Sequence, residues 1–259
     1  MAPREIGEVT ETGDIDSVKA PGKEIVTTSK EETRPPLTFL SIFKDAKIPI
    51  DTSDPGKLCK ILSEGVFLEN YAGVPLQKGK PLEPNSIKYF VDKENKNCFM
   101  LFARILSVIW GAHEEYWGWN MEKDRCGNLC EWVDGYCGCL GLVASFQHTD
   151  CLNLTHLCSG EDIEVAELKE VGLLEISGRI WTVDLSPGAL YEVVFVIKIK
   201  EDNNTSYFLL KLTVVPPDVR FVQRHLVNID KKPLEKWIEI VAGEFEMSPQ
   251  NVGNVTFRL

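Results

Sequence analysis

Between Asn97 and Trp119 the chain reads Asn-Cys-Phe-Met-Leu-Phe-Ala-Arg-Ile-Leu-Ser-Val-Ile-Trp-Gly-Ala-His-Glu-Glu-Tyr-Trp-Gly-Trp, and this stretch constrains the fold more than any other. Residues 98–103 and 106–110 are rich in aromatic and β-branched side chains, too short for helices, and separated by Arg104-Ile105. They read as two strands or one bent strand. A turn at Gly111-Ala112 then presents Tyr116, Trp117 and Trp119. The stretch holds three of the chain's six tryptophans, and Trp117 stands seven positions after Trp110. That spacing lets a strand end and the following loop bring two indoles over one concave surface. Flat apolar rings carrying an N–H suit the C–H faces of sugars. The competing reading is that the indoles fill a core. Trp110 ends an apolar run and is expected nearer the core, whereas Trp117 and Trp119, beside His113, Glu114, Glu115 and Asn120, are expected on a polar loop.

Beyond residue 160 strand signals follow one another. In residues 191–200, Tyr191, Val193, Phe195, Ile197 and Ile199 share one face, while Glu192, Lys198 and Lys200 share the other with Val194 and Val196, so the middle is expected to be covered on both faces. Asp202-Asn203-Asn204 turns the chain into a strand over 207–215, Pro216-Pro217 ends it, and 237–241 and 255–259 supply two more. Many short strands with polar turns predict a mainly β, antiparallel sandwich. Spacing alone does not separate a jelly roll from an immunoglobulin-like topology.

Residues 1–36 contain no aromatic residue and close on Arg34-Pro35-Pro36, so they cannot bury enough apolar surface to offset ordering entropy and are expected to be disordered. Residues 37–80 read as a short helical region. Leu37, Leu40, Ile42 and Phe43 suggest one helix; Asp54-Pro55 supplies an N-cap and first-turn proline for a second that carries Leu58, Ile61 and Leu62, with Gly65 as its stop. Residues 78–85 form a loop, Ile87 begins the β region, and the sandwich domain is expected over 85–259.

The residues quoted for the tryptophan stretch, Asn-Cys-Phe-Met-Leu-Phe-Ala-Arg-x-Leu-Ser-x-x-Trp followed by Tyr-Trp-x-Trp, resemble the plant phloem protein 2 lectin family, which includes the tobacco-agglutinin-like lectins. Glu164-Val165-Ala166-Glu167-Leu168, Leu174-Glu175-Ile176-Ser177-Gly178, Leu185-Ser186-Pro187-Gly188, Tyr191-Glu192-Val193-Val194-Phe195 and Trp237-Ile238-Glu239-Ile240 leading to Gly243-Glu244-Phe245 follow in the family's order. The resemblance covers roughly residues 37–259. It implies a jelly-roll β-sandwich behind a small helical subregion, no catalysis, and recognition of N-acetylglucosamine oligomers or N-glycans. It carries a sugar-contact role onto Trp110 and Trp117, and Trp119 joins them as a carbohydrate-binding residue. Of two acids near the family's C-terminus, the first is replaced by Asn254 and the second would lie beyond Leu259. The resemblance thus implies sugar binding that is weakened or lost, and a missing edge or central strand.

Residues 125–160 are expected to be an insertion, since in the family Tyr-Trp-x-Trp leads through a short loop to the Glu164 strand. The run from Leu154 to Ser159 can be encoded by a pyrimidine-rich stretch ending in TGCAG, as introns commonly end, so a retained intron is the reading preferred here. Cys126, Cys130, Cys137, Cys139, Cys151 and Cys158 fall in this segment with His148 and His156, but their spacings lack the paired Cys-x2-Cys knuckles of common zinc sites. No metal and no cofactor are expected. Disulfides are disfavoured because the N-terminus lacks the apolar core of a signal peptide and no long apolar run could cross a bilayer, which reads as a cytoplasmic chain, with the nucleus or phloem sap as further compartments.

A net charge of −11 argues against sequence-independent binding to nucleic acid or anionic membrane. Glu175, Glu239 and Glu244 could be imagined as paired glycosidase carboxylates, but strand glutamates are usually a solvated face. No nucleophile elbow, phosphate loop or His-Glu-x-x-His motif occurs. The reading is therefore a non-enzymatic lectin whose partners are N-acetylglucosamine oligomers and N-glycoproteins, with a homodimer allowed. The alternative is a phloem or stress-response interaction protein binding filament partners or RNA, the latter through Arg220, Arg224, Lys231 and Lys232.

Overall fold

A computed structural model describes residues 36, 38–69, 71–74, 86–123, 143–148, 162–169, 173–199, 209–230, 232–234 and 236–259. They lie within one compact unit, Arg34–Leu259. The expected disorder of residues 1–36 lies, except for Pro36, outside the described residues.

Two short helices open the unit. The first, α1 (Phe39–Phe43), buries Ile42. The second, α2 (Pro55–Glu64), starts where Asp54 accepts hydrogen bonds from the Gly56 and Lys57 amides, carries Pro55 in its first turn, and buries Leu58 and Leu62. At its end Gly65 has φ +82°, a conformation glycine adopts without strain.

Thirteen strands are seen among the described residues, and every pairing is antiparallel. One sheet contains β1 (Val66–Phe67), β2 (Ile87–Val91), β3 (Asn97–Phe102), β6 (Val143–His148), β9 (Leu190–Lys198) and β12 (Trp237–Glu246), in the order β1-β2-β3-β6-β9-β12. The other contains β4 (Ser107–Val108), β8 (Ile176–Trp181), β10 (Leu209–Val215), β11 (Gln223–Asn228) and β13 (Asn254–Arg258), in the order β11-β10-β13-β8-β4. A separate ribbon pairs β5 (Trp117–Lys123) with β7 (Asp162–Leu168). From β8 onward the chain alternates between sheets, going to β9, back to β10 and β11, across to β12 and back to β13. This alternation is the connectivity of a jelly-roll sandwich.

Of the two readings of the tryptophan stretch, two strands is the one observed: a 3-10 turn at Ala103–Ile105 carries the chain from β3 in one sheet to β4 in the other. Two other sequence expectations change. Trp117 does not sit on a loop but begins β5. The β region also starts before Ile87, because Val66 and Phe67 pair with Tyr89 and Lys88. Within the expected insertion, Val143–His148 forms β6 between β3 and β9; the rest of residues 125–160, including all six cysteines, lies outside the described residues.

The core between the sheets is built on the alternation read for residues 191–200. Tyr191, Val193, Phe195 and Ile197 pack inward with Phe99, Leu101, Val214, Val255 and Phe257. On the reverse face Val194 and Val196 join Cys98, Met100 and Phe102 in a second cluster, closed by Ile163 and Val165 of β7. The ribbon thus forms a partial third layer, which is why β3 is buried along its whole length.

Two glycines of the quoted motifs have packing reasons. At Gly178 a Cβ would collide with the Phe257 ring and fall 2.7 Å from Leu106 Cδ2. At Gly243, beside an irregularity in the β9–β12 pairing, a Cβ would come 2.5 Å from Gln223 Oε1. Here the Gln223 side chain joins the sheets: its Oε1 accepts from the Glu244 amide at 2.9 Å and its Nε2 donates to the Glu244 carbonyl.

Candidate functional site

The site is assembled at the turn between β4 and β5. Ile109 N–H donates to the Glu175 carbonyl at 3.0 Å, the Gly111 amide to the Val108 carbonyl at 3.0 Å, and the His113 amide to the Trp110 carbonyl at 2.8 Å. This geometry puts Trp110 at φ +54°. A left-handed conformation is uncommon for a bulky residue, costs of order 1–3 kcal/mol, and persists only where its surroundings enforce it. The enforcing groups are two other indoles. Trp117 and Trp119 are two positions apart on β5 and so share a face. Trp117 Nε1–H donates to the Ile109 carbonyl at 2.9 Å, and Trp119 Nε1–H donates to the Gly111 carbonyl at 2.9 Å. The carbonyls on either side of Trp110 are therefore both clamped.

The three predicted site tryptophans are brought together, but in roles the sequence reading reversed. Trp110, expected nearer the core, is 42% exposed. Trp117, expected on the loop, is 1% exposed and packs within the main core. Its ring cannot reach a ligand without unpacking the fold. Trp119 is half-buried: the Arg104 guanidinium carbon lies 3.8 Å from its ring centroid, covering one indole face. Arg104 is itself held in a bidentate pair by both carboxylate oxygens of Glu164.

Beside Trp110, Tyr116 completes the aromatic surface with its ring centroid 5.3 Å away and tilted 41°. Lys169 fastens the far side of the loop, its amide donating to the Tyr116 carbonyl and its Nζ to the Glu114 carbonyl, both at 2.9 Å. Asn120, on the opposite face of β5, donates through Nδ2 to Glu167 at 2.6 Å. Sequence reasoning did not single out Arg104 as a site residue. Its position in the quoted motif and the acid in the facing Glu164 strand were the available signals.

The acids and cations weighed from sequence are dispersed. Asn254 pairs with Trp181, at the end of β8 remote from the Ser107–Ser177 and Val108–Ile176 pairs that precede the Trp110 turn. It is therefore not part of the Trp110 surface. Glu175 lies at the five-stranded sheet, 3.6 Å from Arg258, while Glu239 and Glu244 belong to β12 of the other sheet. Arg220 is held by Asp218, Arg224 lies on edge strand β11, and Lys231 lies outside the described residues. Among the described residues no group of three His, Cys, Asp or Glu side chains could hold a metal ion, and no helix is long and apolar enough to cross a membrane.

Glu192 faces Glu244 across β9 and β12. Desolvation first, and then the Glu244 charge, raise the Glu192 carboxyl above its ordinary range; desolvation and then Glu192 raise that of Glu239. A carboxyl raised in the folded state disfavours folding when ionised, and this cost disappears as pH falls below the unfolded value near 4.5. Glu239→Gln is therefore expected to raise Tm by about 1–2 °C at neutral pH, a small gain because the group is exposed to solvent screening. The gain should vanish in melts run near pH 4.

A family model described as Phloem protein 2 matches residues 143–259. The chain is 30% identical over 220 residues to Protein PHLOEM PROTEIN 2-LIKE A1 of Arabidopsis thaliana, covering 85% of this chain and 70% of that protein. It is 27% identical over 205 residues to a lectin of Luffa acutangula, covering 78% of this chain and 75% of the lectin. An Arabidopsis immune-associated nucleotide-binding protein 10 is 27% identical over 165 residues, but these span only 29% of its length. With a relative of this identity and coverage, and a family model over its C-terminal part, the chain belongs to the phloem protein 2 family and is lectin-like.

Proposed function

We propose that this protein is a non-catalytic lectin that stacks a sugar ring on the exposed face of Trp110, with N-acetylglucosamine oligomers and N-glycan cores as ligands. The observation that carries the reading is the forced presentation of Trp110. Its backbone is held left-handed by two indole clamps while its own ring remains 42% exposed beside Tyr116. Fold stability alone does not require an outward aromatic ring on a strained residue, whereas a preorganised stacking surface does. The Luffa lectin among the relatives supports the ligand class. In this reading Tyr116 extends the surface, Trp119 borders it and Trp117 holds it in place without touching sugar. N-glycoproteins are the expected macromolecular partners, met in the cytoplasm or phloem sap.

Calorimetric titration with chitin oligomers tests the proposal. Trp110→Ala should weaken binding by about ten- to a hundredfold, the loss of roughly 1–3 kcal/mol of stacking and buried area, while Tm changes little. Affinity of the parent should vary little between low and physiological salt, because no ion pairs form on binding. A parent that binds no glycan, a Trp110→Ala variant that binds as the parent does, or a steep salt slope with RNA in place of glycan binding would each reject the reading.

A further inference from the structure

The outer face of the five-stranded sheet carries a pocket of about 590 Å³ that the lectin reading does not use. Its size falls within the range of small-molecule sites. Its floor and wall include Leu174, Val215 and Leu259, and the charged side chains in its lining are Lys211, Arg224, Arg258 and Glu175. The register explains how the cations converge. Thr213 of β10 is paired with Arg224 on one side and Arg258 on the other, and Lys211 lies two residues along the same strand, so it shares the outer face. Three cations thus surround the Thr213 side chain.

One of the three has an acidic side chain beside it. Glu175 lies 3.6 Å from Arg258, and among the described residues neither Lys211 nor Arg224 has an ion-pair partner. In a chain of net charge −11, one paired cation and two with no ion-pair partner among the described residues, set over an apolar floor, form a local exception to the overall field. The Thr213 and Thr256 hydroxyls in the lining can donate further hydrogen bonds to an anion. We infer that this pocket binds a small amphiphilic carboxylate, its carboxylate held at Thr213 between Lys211 and Arg224 and its apolar body laid along Leu174, Val215 and Leu259. A wholly polar anion would leave the apolar lining unused, and an apolar cation would meet like charge. This site is independent of sugar binding at Trp110.

Octanoate is the probe, titrated into the full chain and followed by calorimetry, with acetate and octylammonium as controls. Octanoate should bind saturably and at least tenfold more tightly than either control. The double variant Lys211→Gln, Arg224→Gln should weaken octanoate binding at least tenfold, and Lys211→Gln alone should weaken it severalfold, with parental circular dichroism because these positions do not build the core. Trp110→Ala should leave octanoate binding unchanged. Octanoate binding that is absent or non-saturable, matched by octylammonium, or unaltered in the variants would overturn the assignment.

Discussion

Trp117→Ala is expected to destabilise the fold by about 3–5 kcal/mol, the usual cost of truncating a buried tryptophan. The ring is 1% exposed and belongs to the main core, so its removal leaves a large void that rigid strands cannot close. A second cost comes from the Ile109 carbonyl, which loses its 2.9 Å hydrogen bond. Trp117→Phe separates the two, since it fills most of the void but restores no donor; its loss should be about 1–2 kcal/mol. Chemical denaturation of the three proteins checks this order. Because the same bond clamps the backbone before Trp110, sugar affinity should fall in both variants, whereas Trp110→Ala should lower affinity alone. A loss below about 1 kcal/mol for Trp117→Ala would show that the ring is not the strut described here.

The reversal of Trp110 and Trp117 has a physical source that the sequence partly displayed. Trp117, Trp119 and Met121 alternate with Gly118, Asn120 and Glu122, which is the period of a strand with one apolar face. The polar run His113-Glu114-Glu115 just before it suggested a loop continuing through the indoles. Trp110 ends an apolar run, but the positive φ that turns its side chain outward has no signature in a non-glycine residue. The double burial of β9 was legible because both faces of residues 191–200 carry β-branched or aromatic side chains. The start and stop of α2 were legible because Asp54, Pro55 and Gly65 act locally.

Elements set by distant partners were not legible. Strand β11, Gln-Arg-His-Leu-Val-Asn, is largely exposed at a sheet edge and shows no buried alternation. It is a strand because β10 pairs with it through six registered residue pairs. Strand β1 has only two residues and exists through Tyr89 and Lys88. The pairing of Arg104 with Glu164 joins residues 60 positions apart, beyond the reach of any local pattern. The cations around Thr213 likewise come from three strands and converge only through register.

Asn97→Ala is expected to cost about 2–4 kcal/mol, although it removes only a small polar side chain, because that side chain, itself buried, satisfies groups on three segments. Its Oδ1 accepts from the Tyr89 hydroxyl at 2.7 Å, and its Nδ2 donates to the Asp184 carbonyl at 2.7 Å and to Thr38 Oγ1 at 2.5 Å. Its backbone belongs to the same network: the amide donates to Ser186 Oγ at 2.9 Å, and the carbonyl accepts from the Tyr191 hydroxyl, which in turn accepts from the Ser186 amide, both at 2.8 Å. Residues of three quoted motifs, Asn97, Ser186 and Tyr191, therefore meet in one buried cluster. Burial, more than any neighbouring charge, pushes the Tyr89 and Tyr191 hydroxyls above their ordinary range, so both remain protonated donors throughout the working pH range. Alanine at position 97 would leave the buried Tyr89 hydroxyl and the part-buried Asp184 carbonyl without their partner, at about 1–3 kcal/mol for a buried unsatisfied group and less for one that water reaches. A cycle with Tyr89→Phe tests the cause. If the orphaned hydroxyl carries part of the cost, the double variant should be about 1–2 kcal/mol more stable than the sum of the single losses requires. Additive losses, or an Asn97→Ala loss below about 1 kcal/mol in denaturant titrations, would show that the cluster follows the fold without fixing it.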